Sequence, residues 1–259
     1  RSCQKFIGRH EVLEKLFNWL SDDFSCVRVL AGEGGLGKTS VAFEFAYDVA
    51  REHLGNAEAV LWFTAKKYQF RALENQFEQV AMASFSNSSE LFRVIASELG
   101  ATPEEIEETP DEKLPKFLKG LTNTIPSFIV IDDLDSLEIN EQKRSIEVCQ
   151  QLAGSGSRFL FTTRKNATAS SSTAIEIQGL TAEDYAELIE SWEKRLGLTN
   201  FPEKQVERLR DASQGSPLYT ESLLRLIKSG ISTADAIAKW KGNLGIEVRN
   251  AALKREVVQ

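Results

Sequence analysis

Apolar residues recur along the chain with two different periods, and the points where the period changes mark the elements. In RHEVLEKLFNWL (9–20), Val12, Leu13, Leu16, Phe17 and Leu20 fall at helical spacing, so one stripe of this segment is predicted to pack on a domain face. CVRVLAGE (26–33) is a short apolar run of the kind a buried strand needs. KTSVAFEFAYDVAREHLG (38–55) then returns to the helical period, with Val41, Ala42, Phe45, Ala46 and Val49 on the inward stripe and Gly55 at the end. Further strands are predicted at 59–65 (AVLWFTA), 127–133 (SFIVIDD), 158–164 (RFLFTTR) and 173–180 (TAIEIQGL). Helical patterns fill most of the gaps between them. Strands alternating with helices predict an α/β fold, with a mainly parallel five-stranded sheet covered on both faces as a three-layer sandwich. Trp62, inside the second run, reads as core packing with no site role.

After Gly179 the strand pattern stops. TAEDYAELIESWEKRLGL (181–198) opens with a Thr-x-x-Asp capping box and sets Tyr185, Leu188, Ile189, Trp192 and Leu196 at helical spacing. With further helices near 203–213, 217–229 and 233–241, the chain divides near residue 180 into a domain over 1–180 and a small helical bundle over 181–241. The acidic, proline-containing ATPEEIEETPDEK (101–113) reads as a solvated connector.

Composition narrows the partners. The net charge is −7, from 38 acidic and 31 basic residues, which argues against a protein that coats duplex nucleic acid by neutralising phosphates. No apolar run approaches the ~18–20 residues of a membrane-spanning helix, so no membrane span is expected, and on the charge balance no direct nucleic-acid binding is expected either. Cys3, Cys26 and Cys149 lie far apart without metal-site spacing, and two histidines are too few to build a zinc site with them. The thiols read as core or surface residues, and a reducing cytoplasm fits them.

The candidate chemistry begins at GEGGLGKTS (32–40). Gly32 to Thr39 matches G-x-x-x-x-G-K-[ST] in full and stands between a buried strand and an amphipathic helix. In that setting, glycines at Gly32, Gly34, Gly35 and Gly37 let the backbone N–H groups of a segment that runs through Leu36 to Ser40 turn inward around phosphate oxygens. The helix that follows points its positive end at the same anion. Lys38 is predicted to reach the β- and γ-phosphates of a nucleotide, and the Thr39 hydroxyl to ligate Mg2+. FIVIDDLD (128–135) delivers Asp132 and Asp133 at the carboxyl end of a strand, the place for the metal contact (Asp132) and for polarising an attacking water (Asp133). Taken alone, the acid pair equally suits a loop start or a helix cap. FTTR ends the next strand, and Arg164 is a candidate sensor of the terminal phosphate, oriented by Thr162 or Thr163.

This order of motifs resembles the STAND class of P-loop NTPases, which includes NB-ARC and NACHT-type immune proteins and some bacterial regulators. FIGRHEVLEKL (6–16) is similar to the opening segment of that class and implies adenine contacts from Ile7, Gly8 and Arg9. FTTR resembles its sensor motif, and QGSPLYTESLL (214–224) its G-x-P motif, which implies that Pro217 lies against the base. The resemblance also implies that the Arg164 strand lies between the glycine-loop strand and the double-aspartate strand, and that the bundle closes over the nucleotide. From the residues alone, Gly-Arg before a helix and Ser-Pro after a glycine are ordinary structural features.

The resemblance further implies a switch that holds ADP at rest and ATP when active, with Mg2+ and slow hydrolysis. On activation such a switch assembles into a homo-oligomer that turns on an attached effector, in response to a trigger, which can be a protein, read by a sensor domain. Bacterial antiviral defence is the setting it suggests. Residues 242–259 look like the start of a winged-helix region, and the chain is expected to be the nucleotide-binding core of a longer protein, with effector and sensor outside it. A fast AAA+-like motor and a transcription regulator of the same class remain as alternatives.

Overall fold

Ser127–Asp132 forms strand β5, and all six of its residues are buried, as a central strand covered on both faces must be. The computed structural model describes residues 6–22, 24–65, 68–71, 76–79, 85–164 and 173–241. Around β5 lie β2 (Ala59–Thr64), β6 (Arg158–Thr163), β1 (Val27–Ala31) and β7 (Ala174–Glu176), in the order β2-β5-β6-β1-β7. Every pairing is parallel. The Arg164 strand β6 therefore lies between β1 and β5, as the resemblance implied.

Side chains along β5 alternate between the two covering layers. Phe128 packs against Phe45 of α2 (Lys38–Glu52) at 5.4 Å and Trp19 of α1 (His10–Leu20) at 6.3 Å between ring centroids. Ile129 and Ile131 point the other way, into a core shared with Leu91 of α3 (Ser88–Glu98), Leu118 of α5 (Leu114–Thr124) and Ile146 of α6 (Ile139–Gln151). Each such side chain contributes about 1.5–3 kcal/mol by leaving water, so the two faces together fix the sheet in one register.

The predicted stripe of α2 is buried in full. In α1 the buried residues are Leu16 and Trp19. Trp19 was absent from the predicted stripe; its indole N–H donates to the Ser25 carbonyl at 2.7 Å, which lets the ring be buried without losing a hydrogen bond. Trp62 departs from its core assignment. It is 36% exposed on the edge strand β2, and its ring meets that of Phe43 edge-on at 6.2 Å.

The 101–113 connector contains a short helix, α4 (Pro103–Glu108). Thr102 and Glu105 close a complete capping box there, and Pro103 is preset for the first helical turn. An antiparallel hairpin of β3 (Tyr68–Arg71) and β4 (Gln76–Gln79), not anticipated from the sequence, follows β2. Strand β7 is shorter than the predicted 173–180, and Leu180, at the end of that run, is buried in the helical core described next.

The described residues form two compact units. Glu11–Gly32 and Lys38–Glu176 make the sheet unit; residues up to His10, Glu33–Gly37 and those from Ile177 onward make the helical unit. The latter contains α7 (Ala182–Leu196), α8 (Glu203–Ser213), α9 (Pro217–Lys228) and α10 (Thr233–Lys241). Tyr185, Leu188, Ile189 and Trp192 of α7 supply its core with Leu223 of α9 and Trp240 of α10. The Tyr185 hydroxyl lies 3.2 Å from Ser213 Oγ and 3.0 Å from Thr220 Oγ1. The Thr181 hydroxyl accepts from the Asp184 N–H, but the Asp184 carboxylate is turned toward Gly8 and Arg9. The winged-helix expectation for 242–259 falls outside the described residues.

Candidate functional site

Within the sheet unit, the chemistry gathers at the carboxyl ends of β1, β5 and β6. The loop leaves β1 at Gly32 and re-enters structure at Lys38, the first residue of α2. Lys38 is buried, and its Nζ donates to the Gly32 carbonyl at 2.8 Å, closing the loop on itself. Thr39, one residue on, is exposed apart from its hydroxyl contact: Oγ1 donates to Asp132 Oδ1 at 2.9 Å. Ser40 is exposed in the same first turn. A hydroxyl and a carboxylate at this separation, beside a lysine and a helix N-terminus, form an oxygen-rich donor set. That set suits Mg2+ held jointly with phosphate. Among the described residues no group of three or more His, Cys, Asp or Glu side chains could hold a metal by itself.

Asp132 is held from a second side. Thr162 Oγ1, on β6, donates to Asp132 Oδ1 at 2.6 Å and accepts the Asp133 N–H at 2.9 Å. Asp133 adopts the left-handed conformation (φ 61°, ψ 42°) and leads into a 3-10 turn at Leu134–Ser136. The sequence expectation that Thr162 or Thr163 orients Arg164 is thereby corrected for Thr162, whose hydroxyl serves the two acids.

Arg164 is held by Asp135. Its N–H donates to Asp135 Oδ1 at 2.9 Å, and its Nε forms an ion pair with Oδ2 at 3.2 Å, both side chains being 17% exposed. Burial, and then the charge of Asp133, raise the Asp135 pKa above its ordinary value; the Arg164 charge opposes them. Asp135 was missed from the sequence, although it is the third acid of the same DDLD stretch.

Within the helical unit lie Gly34 to Gly37, the tip of the loop, with Ile7, Gly8, Arg9 and Pro217. Ile7 is 8% exposed and belongs to the helical core. Gly8 has φ +67°, in the left-handed region that favours glycine, and a Cβ there would lie 2.2 Å from the Asp184 carboxylate carbon, so another residue would be strained and would displace that side chain. Arg9 is also left-handed (φ 65°) and donates from Nη2 to the Leu36 carbonyl at 2.9 Å. Burial lowers the pKa of its guanidinium, with the Asp184 charge opposing the shift. Pro217 occupies the first turn of α9 behind its N-cap Ser216. Ser216 was read only as a helix start, yet its hydroxyl also donates to the Gly35 carbonyl at 3.0 Å.

A strand, a glycine loop and a helix, with the helix's threonine bonded to an aspartate from a parallel strand two places away, define a P-loop NTPase. Residues 27–195 match the NACHT domain, and the chain belongs to that family, within the STAND class. No curated protein sequence matches it. Among solved structures it is similar to a STAND protein with a tetratricopeptide repeat sensor from Pyrococcus horikoshii, at 17% identity and TM-score 0.58, covering 94% of this chain and 34% of that one. It is also similar to Cdc6p from Pyrobaculum aerophilum, at 15% identity and TM-score 0.58, covering 87% and 62% of the two chains. Drosophila ORC bound to DNA aligns at 12% identity and TM-score 0.59, covering 95% and 64%. At these identities the likeness establishes the fold. The chain spans about a third of the STAND protein and less than two thirds of the other two. Nucleotide binding follows from the family, and no helix among the described residues is long and apolar enough to cross a membrane.

Proposed function

We propose that this chain is the ATP/ADP-binding switch of a STAND NTPase. The observation that carries the reading is the Asp132 carboxylate accepting from both Thr39 and Thr162 beside the loop that Lys38 closes. On binding, the loop amides from Gly32 to Ser40 and the Lys38 ammonium hold the phosphates, and Thr39 and Asp132 are the metal contacts. Bound Mg2+ supplies neutralisation of the phosphate charge. Each charge-assisted contact is worth on the order of 1.5–3 kcal/mol, and several together sustain micromolar affinity despite the ordering cost.

Hydrolysis, in this reading, is slow and serves to reset the switch. Asp133 accepts a hydrogen bond from the attacking water, whose oxygen bonds to the γ-phosphorus as the bond to the β–γ bridging oxygen breaks; ADP, phosphate and a proton leave. Arg164 stabilises charge on the terminal phosphate. A motor needs faster chemistry, commonly with an arginine from a neighbouring subunit worth about 10³–10⁵ in rate. Ile7, Gly8, Arg9 and Pro217 are assigned to the adenine end on the family resemblance.

The division into a nucleotide-binding domain over 1–180 and a helical domain over 181–241 belongs to the same proposal, as do homo-oligomerisation, control of an attached effector and a role in bacterial antiphage defence. Membership of the NACHT family supports the switch. The test is bound nucleotide and oligomer size of the protein in its full native length, with and without its trigger. ADP in the monomer and ATP in a larger assembly are expected. A chain that stays monomeric with ATP under every trigger contradicts the reading, and sustained turnover well above ~1 s⁻¹ favours the motor.

A further inference from the structure

Two consecutive carbonyls on the rim of the phosphate loop, those of Gly35 and Leu36, are both engaged within the helical unit. Ser216 Oγ donates to the Gly35 carbonyl at 3.0 Å, and the Leu218 N–H reaches the same oxygen at 3.4 Å. Arg9 donates from Nη2 to the Leu36 carbonyl at 2.9 Å and from Nη1 to the Gln178 carbonyl at 2.5 Å. In a planar trans peptide the C=O and the following N–H point in opposite directions. Fixing the Gly35 carbonyl therefore aims the Leu36 N–H the other way, and fixing the Leu36 carbonyl does the same for Gly37.

The donors are themselves constrained. Gly35 has φ +79°, and a Cβ there would lie 3.0 Å from Leu218 Cβ and 3.1 Å from Ser216 Oγ, so the loop and the start of α9 are in direct contact. The Arg9 backbone is left-handed, and its N–H points at Asp184 Oδ2, 3.4 Å away. Ser216 is fixed as an N-cap, its Oγ accepting from the Tyr219 N–H at 3.3 Å while donating to the loop.

We propose that Arg9 and Ser216 are positioning residues that preset the amides of Leu36 and Gly37 for phosphate, so that Arg9 acts on the nucleotide through the loop and not through the base. This rests on the phosphate-loop reading above and differs from it in what Arg9 recognises. A base reader discriminates between purines. A loop brace alters affinity for any polyphosphate, including one without a base.

The test is calorimetric titration of the 259-residue chain with ATP, GTP and inorganic tripolyphosphate, each with Mg2+, using Arg9→Met, Arg9→Lys, Ser216→Gly and Ser216→Thr. Glycine at an N-cap costs the helix only a few tenths of a kcal/mol relative to serine, so Ser216→Gly removes the donor with little loss of fold, and circular dichroism at the titration temperature verifies this. Arg9→Met and Ser216→Gly are expected to weaken ATP and tripolyphosphate by the same factor, about three- to tenfold, with the ATP:GTP preference unchanged. Ser216→Thr restores binding, and Arg9→Lys recovers part of it. The inference is overturned if Arg9→Met shifts the ATP:GTP ratio while tripolyphosphate affinity stays intact, or if folded Ser216→Gly binds all three as tightly as the parent. A parent chain that binds neither ATP nor tripolyphosphate overturns the phosphate-loop reading itself, and this inference with it.

Discussion

Thr162 and Asp132, on adjacent strands, share a 2.6 Å hydrogen bond from hydroxyl to carboxylate, and the same hydroxyl accepts the Asp133 N–H. One buried side chain thus fixes both acids at the end of β5. Thr162→Val keeps the shape but leaves a buried N–H without its acceptor, at a cost of about 1–3 kcal/mol. Denaturant unfolding is expected to show that loss, with most of it recovered in Thr162→Ser. A Thr162→Val variant as stable as the parent removes Thr162 from this role.

The Arg164–Asp135 pair leads to opposite effects from its two members. Arg164→Ala is expected to weaken ATP more than ADP, by about tenfold, since only ATP carries the phosphate that Arg164 is proposed to meet. Asp135 competes with that phosphate for the guanidinium, so Asp135→Asn is expected to shift the ratio toward ATP. Equal changes for the two nucleotides in both variants would remove the sensor role.

Tyr185 gives a pH dependence confined to the helical unit. Burial raises its phenol above the ordinary value, and the Ser213 and Thr220 hydroxyls only partly offset this. With the folded pKa above the unfolded one, the neutral phenol contributes stability that is complete below the ordinary tyrosine pKa of about 10 and is lost as pH rises through the folded value. Unfolding free energies of the parent are therefore expected to fall more steeply than those of Tyr185→Phe above about pH 10. Parallel curves would mean that the ring is not held in its neutral form.

Periodicity carried far in this sequence where one face of an element is apolar. The α2 stripe, the buried strands around Asp132 and Arg164, and the three helices from 203 onward are legible because each buries a continuous set of side chains. The G-x-x-x-x-G-K-[ST] spacing is legible because its glycines and lysine are contiguous and stand between a strand and a helix that the periodicity also marks. What escaped depends on partners distant in sequence. Ser216 looks like any N-cap until its hydroxyl is seen at the Gly35 carbonyl, 181 residues away. Asp135 looks like a loop acid until Arg164 arrives from the next strand. Trp62 lies on an edge strand, and strand order does not follow from local pattern.

Lys38 bears most directly on the central claim. Its ammonium caps the Gly32 carbonyl at 2.8 Å, which puts the cation at the loop proposed to hold the phosphates. Isothermal titration of Mg-ATP into the parent chain and into Lys38→Ala, both verified as folded, is expected to give tight binding in the first and a loss of about 100-fold or more in the second. Unchanged affinity in Lys38→Ala would contradict the account.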